Sequence, residues 1–199
     1  WLQSGIRHDG VAESLARDPK HAMSMNNLAW DRLERDPESP EGIAEITRMI
    51  EAAHAALPAD ASILDSIGWL RYKQGAFAEA VDLLGKAITA GGDDPSLEAL
   101  DHFGDAVWRS GNRDAARNAW REVAERGARL YPRETIVGRL PTYELNEHGV
   151  RVLDGEALWR RSYGEVIDRA AAKRKAAEAG GEPAVAPVFG GRRTGEDSK

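Results

Sequence analysis

The chain has 199 residues, of which 42% are hydrophobic and only 7% aromatic, and its formal net charge is −6. That length allows one ordinary domain or a short array of repeats, and an Ala- and Leu-rich composition favours helix packing over a two-sheet sandwich. The absence of cysteine excludes disulfides and cysteine-bound metals, and the acidic main body argues against nucleic-acid binding. No apolar run is long enough for a membrane span.

The first 19 residues are similar in pattern to later parts of the chain. Residues 1–5 (Trp-Leu-Gln-Ser-Gly) match residues 71–75 and 107–111, each of which ends in glycine. We interpret residues 1–19 as the remnant of a preceding repeat unit. Because the chain begins with Trp1 rather than methionine, we expect it to be part of a larger protein. The sequence leaves the compartment open between cytoplasm and periplasm, and it does not fix the oligomeric state.

Residues 20–127 predict about three copies of a two-helix unit. Gly68 and Gly104 lie 36 residues apart, and in each copy a second glycine follows seven residues later. A new apolar helix then begins, at Phe77 in one copy and at Arg113 in the next. The earlier copy has Ala29 at the position of the first glycine. Small residues at these places predict that the two helices of a unit approach closely.

Helix starts are marked by a polar capping residue before the first turn. Ser39, followed by Pro40 and an acid, predicts an N-cap with proline at the first helical position. Asp94 and Pro95 repeat this signal, and Asp60 opens the unit between them.

Residues 128–155 interrupt the repeat and predict an irregular connection. Residues 142–153 alternate around Asn146–Gly149 as a short hairpin would, and an irregular loop is the alternative. Asp154 is placed to cap the helix that follows.

Residues 156–179 predict an amphipathic capping helix that covers the open end of the array, with docking of a partner as the alternative. Its basic end, Arg169–Lys175, is interpreted as a solvated helix terminus. Residues 180–199 are rich in glycine, proline and charge, and predict a flexible tail. Within it, Val185–Phe189 is apolar enough to lie back on the body or to enter the groove of another molecule.

Taken together, the pattern resembles the tetratricopeptide-repeat (TPR) family of bacterial type, most specifically over residues 60–125. The residues that carry the resemblance are Gly68, Tyr72, Gly75, Phe77, Ala80 and Ala87 in one unit, and Gly104, Trp108, Gly111, Ala116 and Trp120 in the next. Leu64, Arg113 and Val123 depart from the pattern. The resemblance implies an all-α, right-handed α-solenoid of TPR helix hairpins with a C-terminal capping helix and a flexible tail.

The resemblance also implies that the first helix of each unit lines a concave groove. Carried over to this sequence, the partner-binding positions are Asn26, Trp30, Asp65, Trp69, Tyr72, Lys73, Asp101, Asp105, Trp108 and Arg109. Such an aromatic and acidic surface predicts an extended partner segment that is basic or apolar. In the alternative interpretation, the aromatic residues pack against neighbouring helices and the acidic residues are solvated.

The sequence therefore predicts a protein–protein interaction module and not an enzyme, and it predicts no cofactor or metal. The five histidines are scattered, and we interpret His102 as a rim residue bonded to a nearby carboxylate. Two alternatives stay open. The chain is a structural subunit locked into a multiprotein assembly through its surface and tail, or a regulatory appendage of an enzyme that lies upstream.

Overall fold

The computed structural model describes residues 18–35, 39–137 and 155–190, and this part of the chain contains helices and no strand. The helices are α1 (Pro19–Glu34), α2 (Pro40–Ala56), α3 (Ala61–Lys73), α4 (Phe77–Ala90), α5 (Leu97–Arg109), α6 (Arg113–Leu130), α7 (Arg133–Val137), α8 (Gly155–Trp159) and α9 (Glu165–Glu178). A π-helical turn, Arg160–Gly164, joins α8 to α9. Residues 1–17, the predicted hairpin at 142–153 and the predicted cap Asp154 lie outside the described residues. Within the described ranges, no helix has the length and apolar character needed to cross a membrane.

The helix starts follow the capping signals in two of three cases. Ser39 accepts a hydrogen bond from the Gly42 N–H at 3.0 Å, and Asp60 caps α3, which confirms both predictions. The predicted signal at Asp94 and Pro95 is wrong, because the cap of α5 is Ser96. Residues 91–94 still form the preceding turn, so the helix begins only after the proline.

Consecutive helices pack against one another along the chain. Helices α1 and α2, α3 and α4, and α5 and α6 form contacting pairs, and α2 also contacts α3 as α4 contacts α5. The first helices of the pairs contact each other as well, α1 with α3 and α3 with α5. This arrangement places α1, α3 and α5 side by side.

Two glycines allow the paired helices to approach closely. A Cβ atom on Gly68 would lie 2.8 Å from Cγ of Leu84, and a Cβ atom on Gly104 would lie 2.3 Å from Nε1 of Trp120. Both distances are shorter than van der Waals contact, so a larger residue would force the helices apart. The close approach predicted from the glycine spacing is confirmed.

The C-terminal part packs against the last helix pair and then turns back. Helix α9 contacts both α6 and α5. The chain reverses at Gly180, whose φ of 77° favours glycine, and residues 182–188 run without regular structure. Val185 belongs to the core cluster of α5, α6 and α9, whereas Phe189 packs against the cluster built by α1–α4. Residues 183–189, which we call the return segment, thus bridge the two halves of the core.

Candidate functional site

A buried ion cluster joins α5 to α9. Asp101 and Asp105 are one turn apart on α5, and the Nζ atom of Lys173 lies 3.0 Å from both carboxylate oxygens of Asp101 and 2.6 Å from Oδ1 of Asp105. All three side chains are at most 3% exposed. Arg169 extends the cluster, donating at 2.7 Å to Asp101 and at 2.7 Å to Glu98. Because buried charges are costly unless they are paired, the cluster holds α9 in one position.

The two carboxyl groups of this cluster differ in their protonation behaviour. Burial opposes ionisation of Asp101, but Lys173 and Arg169 outweigh it and lower the pKa of Asp101 below its ordinary value. Burial raises the pKa of Asp105, and the adjacent Asp101 adds to this effect while Lys173 opposes it. Asp101 is therefore the more firmly ionised member of the pair.

The structure corrects the interpretation of the basic end of the last helix. Arg169 and Lys173 are not a solvated helix terminus, because both pair with acids of α5. A signal for this pairing exists in the sequence. Arg169 and Lys173 are four residues apart, as are Asp101 and Asp105, so each pair lies on one helix face.

A stack of rings lies beside the ion cluster. The indole of Trp69 stacks on Tyr72 with ring centroids 4.6 Å apart and on His102 with centroids 4.0 Å apart. Trp30 lies 5.4 Å from the ring of His102, and the Trp69 Nε1 donates to Glu34 at 2.9 Å. The first helices of three successive pairs thus contribute to one aromatic surface.

His102 is buried in this stack rather than placed on a rim. Its Nδ1 atom lies 2.9 Å from Oδ1 of Asp65, and its Nε2 atom lies 3.9 Å from Glu98. The prediction of a carboxylate partner is correct, although the partner comes from the neighbouring unit. Burial lowers the pKa of His102, but Asp65, Glu98 and Asp101 together raise it to about 8.

The return segment lies against this surface and is bound through its main chain. The N–H of Ala186 donates to Oδ2 of Asp105 at 2.9 Å. The carbonyl of Ala186 accepts from the Tyr72 hydroxyl at 2.5 Å and from Arg109 at 3.3 Å. The N–H of Phe189 donates to the carbonyl of Lys73 at 2.8 Å. Side chains and a carbonyl of α3 and α5 therefore hold an irregular segment of the same chain.

Trp108 binds the residue that precedes the return segment. Its Nε1 atom donates to Glu182 at 3.2 Å, and the guanidinium of Arg113 lies 3.6 Å above its ring centroid. Arg113 also pairs with Glu182 at 3.5 Å. Glu182 is thereby tied to both α5 and α6 immediately before the return segment begins.

The predicted groove positions fall into two groups. Nine of them contribute to the ring stack, the ion cluster or the contacts with residues 182–189, namely Trp30, Asp65, Trp69, Tyr72, Lys73, Asp101, Asp105, Trp108 and Arg109. Asn26 is buried in α1, and its Oδ1 atom has no hydrogen-bond partner among the described residues. The alternative that the aromatic residues pack against neighbouring helices agrees with the burial of Trp69, Tyr72 and Trp108 in the core. Its second part, solvated acids, is wrong, because the three acidic residues of this set are at most 8% exposed. Binding of a partner at these positions stays a prediction.

A cavity of about 150 Å³ remains between the ring stack, the ion cluster and the return segment. Its lining is mostly polar and includes Glu34, Lys73, His102 and Arg169. Among the residues that the structure describes, no three His, Asp or Glu side chains are grouped so that they could hold a metal ion. The ring stack and the ion cluster can provide hydrogen bonds and ring contacts to a polypeptide segment.

Comparison with known proteins gives one informative similarity. Over 91 residues the chain is 34% identical to a TPR repeat-containing protein of Pseudomonas aeruginosa. This alignment covers 46% of the chain but only 14% of the length of that relative. No family model matches the chain, and no solved structure matches it. The similarity supports a TPR-like family and agrees with the all-helical fold.

Proposed function

We propose that the chain is a TPR-type protein–protein interaction module whose concave groove, lined by α1, α3 and α5, binds a partner segment in extended conformation. In this proposal the helix pairs form a right-handed solenoid, and the chain acts within a larger protein as a scaffold. The TPR resemblance implies a protein partner.

The observation that carries this proposal is the return segment. These side chains of α3 and α5 already hold a stretch of polypeptide without regular secondary structure, with Asp105 accepting a main-chain N–H and Tyr72 donating to a main-chain carbonyl. Main-chain contacts of this kind serve any extended peptide. Trp69 and Tyr72 are buried in the ring stack, so the half-buried Trp30 is the aromatic residue that we expect to anchor a partner side chain.

The two other hypotheses have less support. A structural lock through a free tail fits poorly with Val185, which is 1% exposed and belongs to the core of the same chain. The helical fold and the TPR-named relative fit a non-enzymatic scaffold. A regulatory appendage of an upstream enzyme would use the same groove, so it is a special case of the proposed function.

The test is to select extended peptides from a random phage-displayed library with the purified chain and to measure their affinities by fluorescence anisotropy. We expect Trp30→Ala to weaken the selected peptides by more than tenfold, because truncating an aromatic hot spot typically costs about 2 kcal/mol or more. Trp30 is half-buried on the ring stack, and the main-chain groups of Ala186 and Phe189 are bound by residues of α3 and α5 rather than by Trp30.

Leu28→Ala is the matched control, because Leu28 lies on the same helix and is 48% exposed. Circular dichroism shows whether each variant keeps its helical content. Selection of no peptide, or equal binding of every selected peptide to wild type and Trp30→Ala, would refute groove binding.

A further inference from the structure

We propose that the return segment is an intramolecular competitor for the groove, and that the partner it excludes carries an extended segment of the same pattern: a small β-branched residue, a small residue, proline, and an aromatic residue two positions later. This inference rests on the proposed function and adds to it the chemistry of the partner and the regulation of the site.

The contacts of the return segment are ones that another chain can take over. Ala186 uses only its N–H and carbonyl, which meet Asp105, Tyr72 and Arg109. Phe189 likewise offers its N–H to the Lys73 carbonyl. An incoming segment that places an N–H and a carbonyl at the same positions satisfies the same buried groups. The groups that now bind Ala186 and Phe189 are then paired again, which lowers the cost of exchange.

The side chains of the return segment define what the partner must present. Val185 and Pro187 are buried, whereas Ala186 and Phe189 are half-buried and Ala184 is exposed. The ring of Phe189 packs against the α1–α4 core with the Lys73 ammonium 5.8 Å from its centroid. We therefore expect the groove to select a segment with a β-branched residue before the position of Ala186, a proline after it, and an aromatic residue two positions beyond the proline. Proline lacks an N–H group, but none is needed at this position, because the N–H groups that the groove binds belong to Ala186 and Phe189.

The helix and the return segment are held in different ways, and this makes the segment the exchangeable part. Helix α9 is fixed by the buried pairs of Lys173 and Arg169 with acids of α5, and breaking such pairs is expensive. The return segment has no charged side chain between Pro183 and Phe189. Displacing it leaves the ion pairs of α9 in place.

The short connection makes the competition effective. Residues 179–182 are all that separate the end of α9 from the return segment, and short linkers give effective concentrations on the order of 1 mM. If the return segment itself binds the groove with an intrinsic Kd of about 100 µM, a competing segment would bind the wild-type chain about tenfold more weakly than a chain whose own segment is released.

The experiment uses a fluorescein-labelled peptide with the sequence of residues 181–190, titrated with the full chain and followed by anisotropy. In Ala186→Pro the segment loses the N–H that Asp105 accepts, and we expect the labelled peptide to bind this variant about tenfold or more tightly than wild type. Hydrogen exchange of the Phe189 amide should become faster in the same variant, since the segment leaves the Lys73 carbonyl. Phe189→Ser is the second opening variant if Ala186→Pro does not fold, and it should give the same tighter binding of the labelled peptide.

Ala184→Pro is the matched control, because the exposed Ala184 lies two residues earlier and the same replacement should leave affinity at the wild-type value. If wild type and both opening variants bind the peptide equally, or if none of them binds it, the return segment is a permanent part of the core and the inference is wrong. The proposed function is judged separately. If library-selected peptides bind wild type and the opening variants with equal affinity, competition by the return segment is refuted. If their binding also depends on Trp30, groove binding itself still stands.

Discussion

Replacing Lys173 by methionine tests whether the buried ion cluster holds the last helix. Methionine keeps the unbranched shape of the lysine stem and removes only the charge. It leaves Asp101 and Asp105 facing each other at most 1% exposed, with Arg169 as the remaining cation of the cluster.

The expected cost follows from the geometry of the cluster. Lys173 donates to both carboxyl groups at 2.6–3.0 Å, and removing one partner of a buried ion pair typically costs about 3–5 kcal/mol. Arg169 still pairs with Asp101, so the loss falls mainly on Asp105 and we expect about 3 kcal/mol. A domain of this size has a total stability of about 5–15 kcal/mol, so the effect is large.

The assay is urea unfolding at pH 7, followed by circular dichroism and by tryptophan fluorescence, to which the buried Trp120 near the cluster contributes as one of six tryptophans. Lys175→Met is the control, since Lys175 is exposed on the same helix and its replacement should change the free energy of unfolding by less than about 0.5 kcal/mol. Part of the loss in Lys173→Met should return as the pH falls, because protonating Asp105 removes a buried charge. A loss below about 1 kcal/mol, equal to that of the control, would show that the cluster does not anchor α9.

Two further predictions concern the ring stack and the helix crossing. The pKa of His102 is about 8 in the folded chain against 6.5 for a free histidine, so its charge contributes about 2 kcal/mol that is present below pH 6.5 and lost as the pH rises through 8. Urea titrations at pH 6 and pH 9 should show this decrease in wild type and not in His102→Gln, and an equal decrease in both would assign it to other groups. Gly104→Ala should destabilise by about 1–3 kcal/mol, because its Cβ would lie 2.3 Å from Trp120. Gly85→Ala, whose Cβ would meet only Phe103 at 3.8 Å, should be neutral or stabilising by up to about 1 kcal/mol, and a similar loss at both glycines would show that close packing is not the cause.

The helix pairs could be predicted from the sequence because their determinants are local. The spacing of Gly68 and Gly104 marks the crossing of each pair, and the structure places Leu84 and Trp120 where any Cβ would clash. The turn glycines Gly75 and Gly111 have φ values of 81° and 87°. This left-handed conformation ends one helix and turns the chain, so that the next helix begins two residues later. Capping residues specify helix starts through contacts within three residues, and the prediction failed only at Asp94, which belongs to the turn before α5.

The site could be predicted only in part, because its contacts join residues far apart in the sequence. The resemblance identified Tyr72 and Asp105 as groove residues, but the groups that they bind belong to Ala186, 114 residues from Tyr72. Composition predicts a flexible tail from residue 180, with Val185–Phe189 as an apolar exception that lies back on the body or enters another molecule's groove. The structure shows the first of these two arrangements. Val185 packs into the core of α5, α6 and α9, and this packing outweighs the weak local order of the segment. A stretch of seven residues is too short to show a hydrophobic period that would predict such packing.

Asp105 serves two attachments with its two oxygen atoms. Oδ1 accepts from Lys173 of the last helix, and Oδ2 accepts from the main chain of Ala186. Because a single carboxylate shares its charge between both donors, the affinity of either attachment depends on whether the other is made. This dependence is reciprocal, so whatever occupies the position of Ala186 also changes how tightly Lys173 ties α9 to α5.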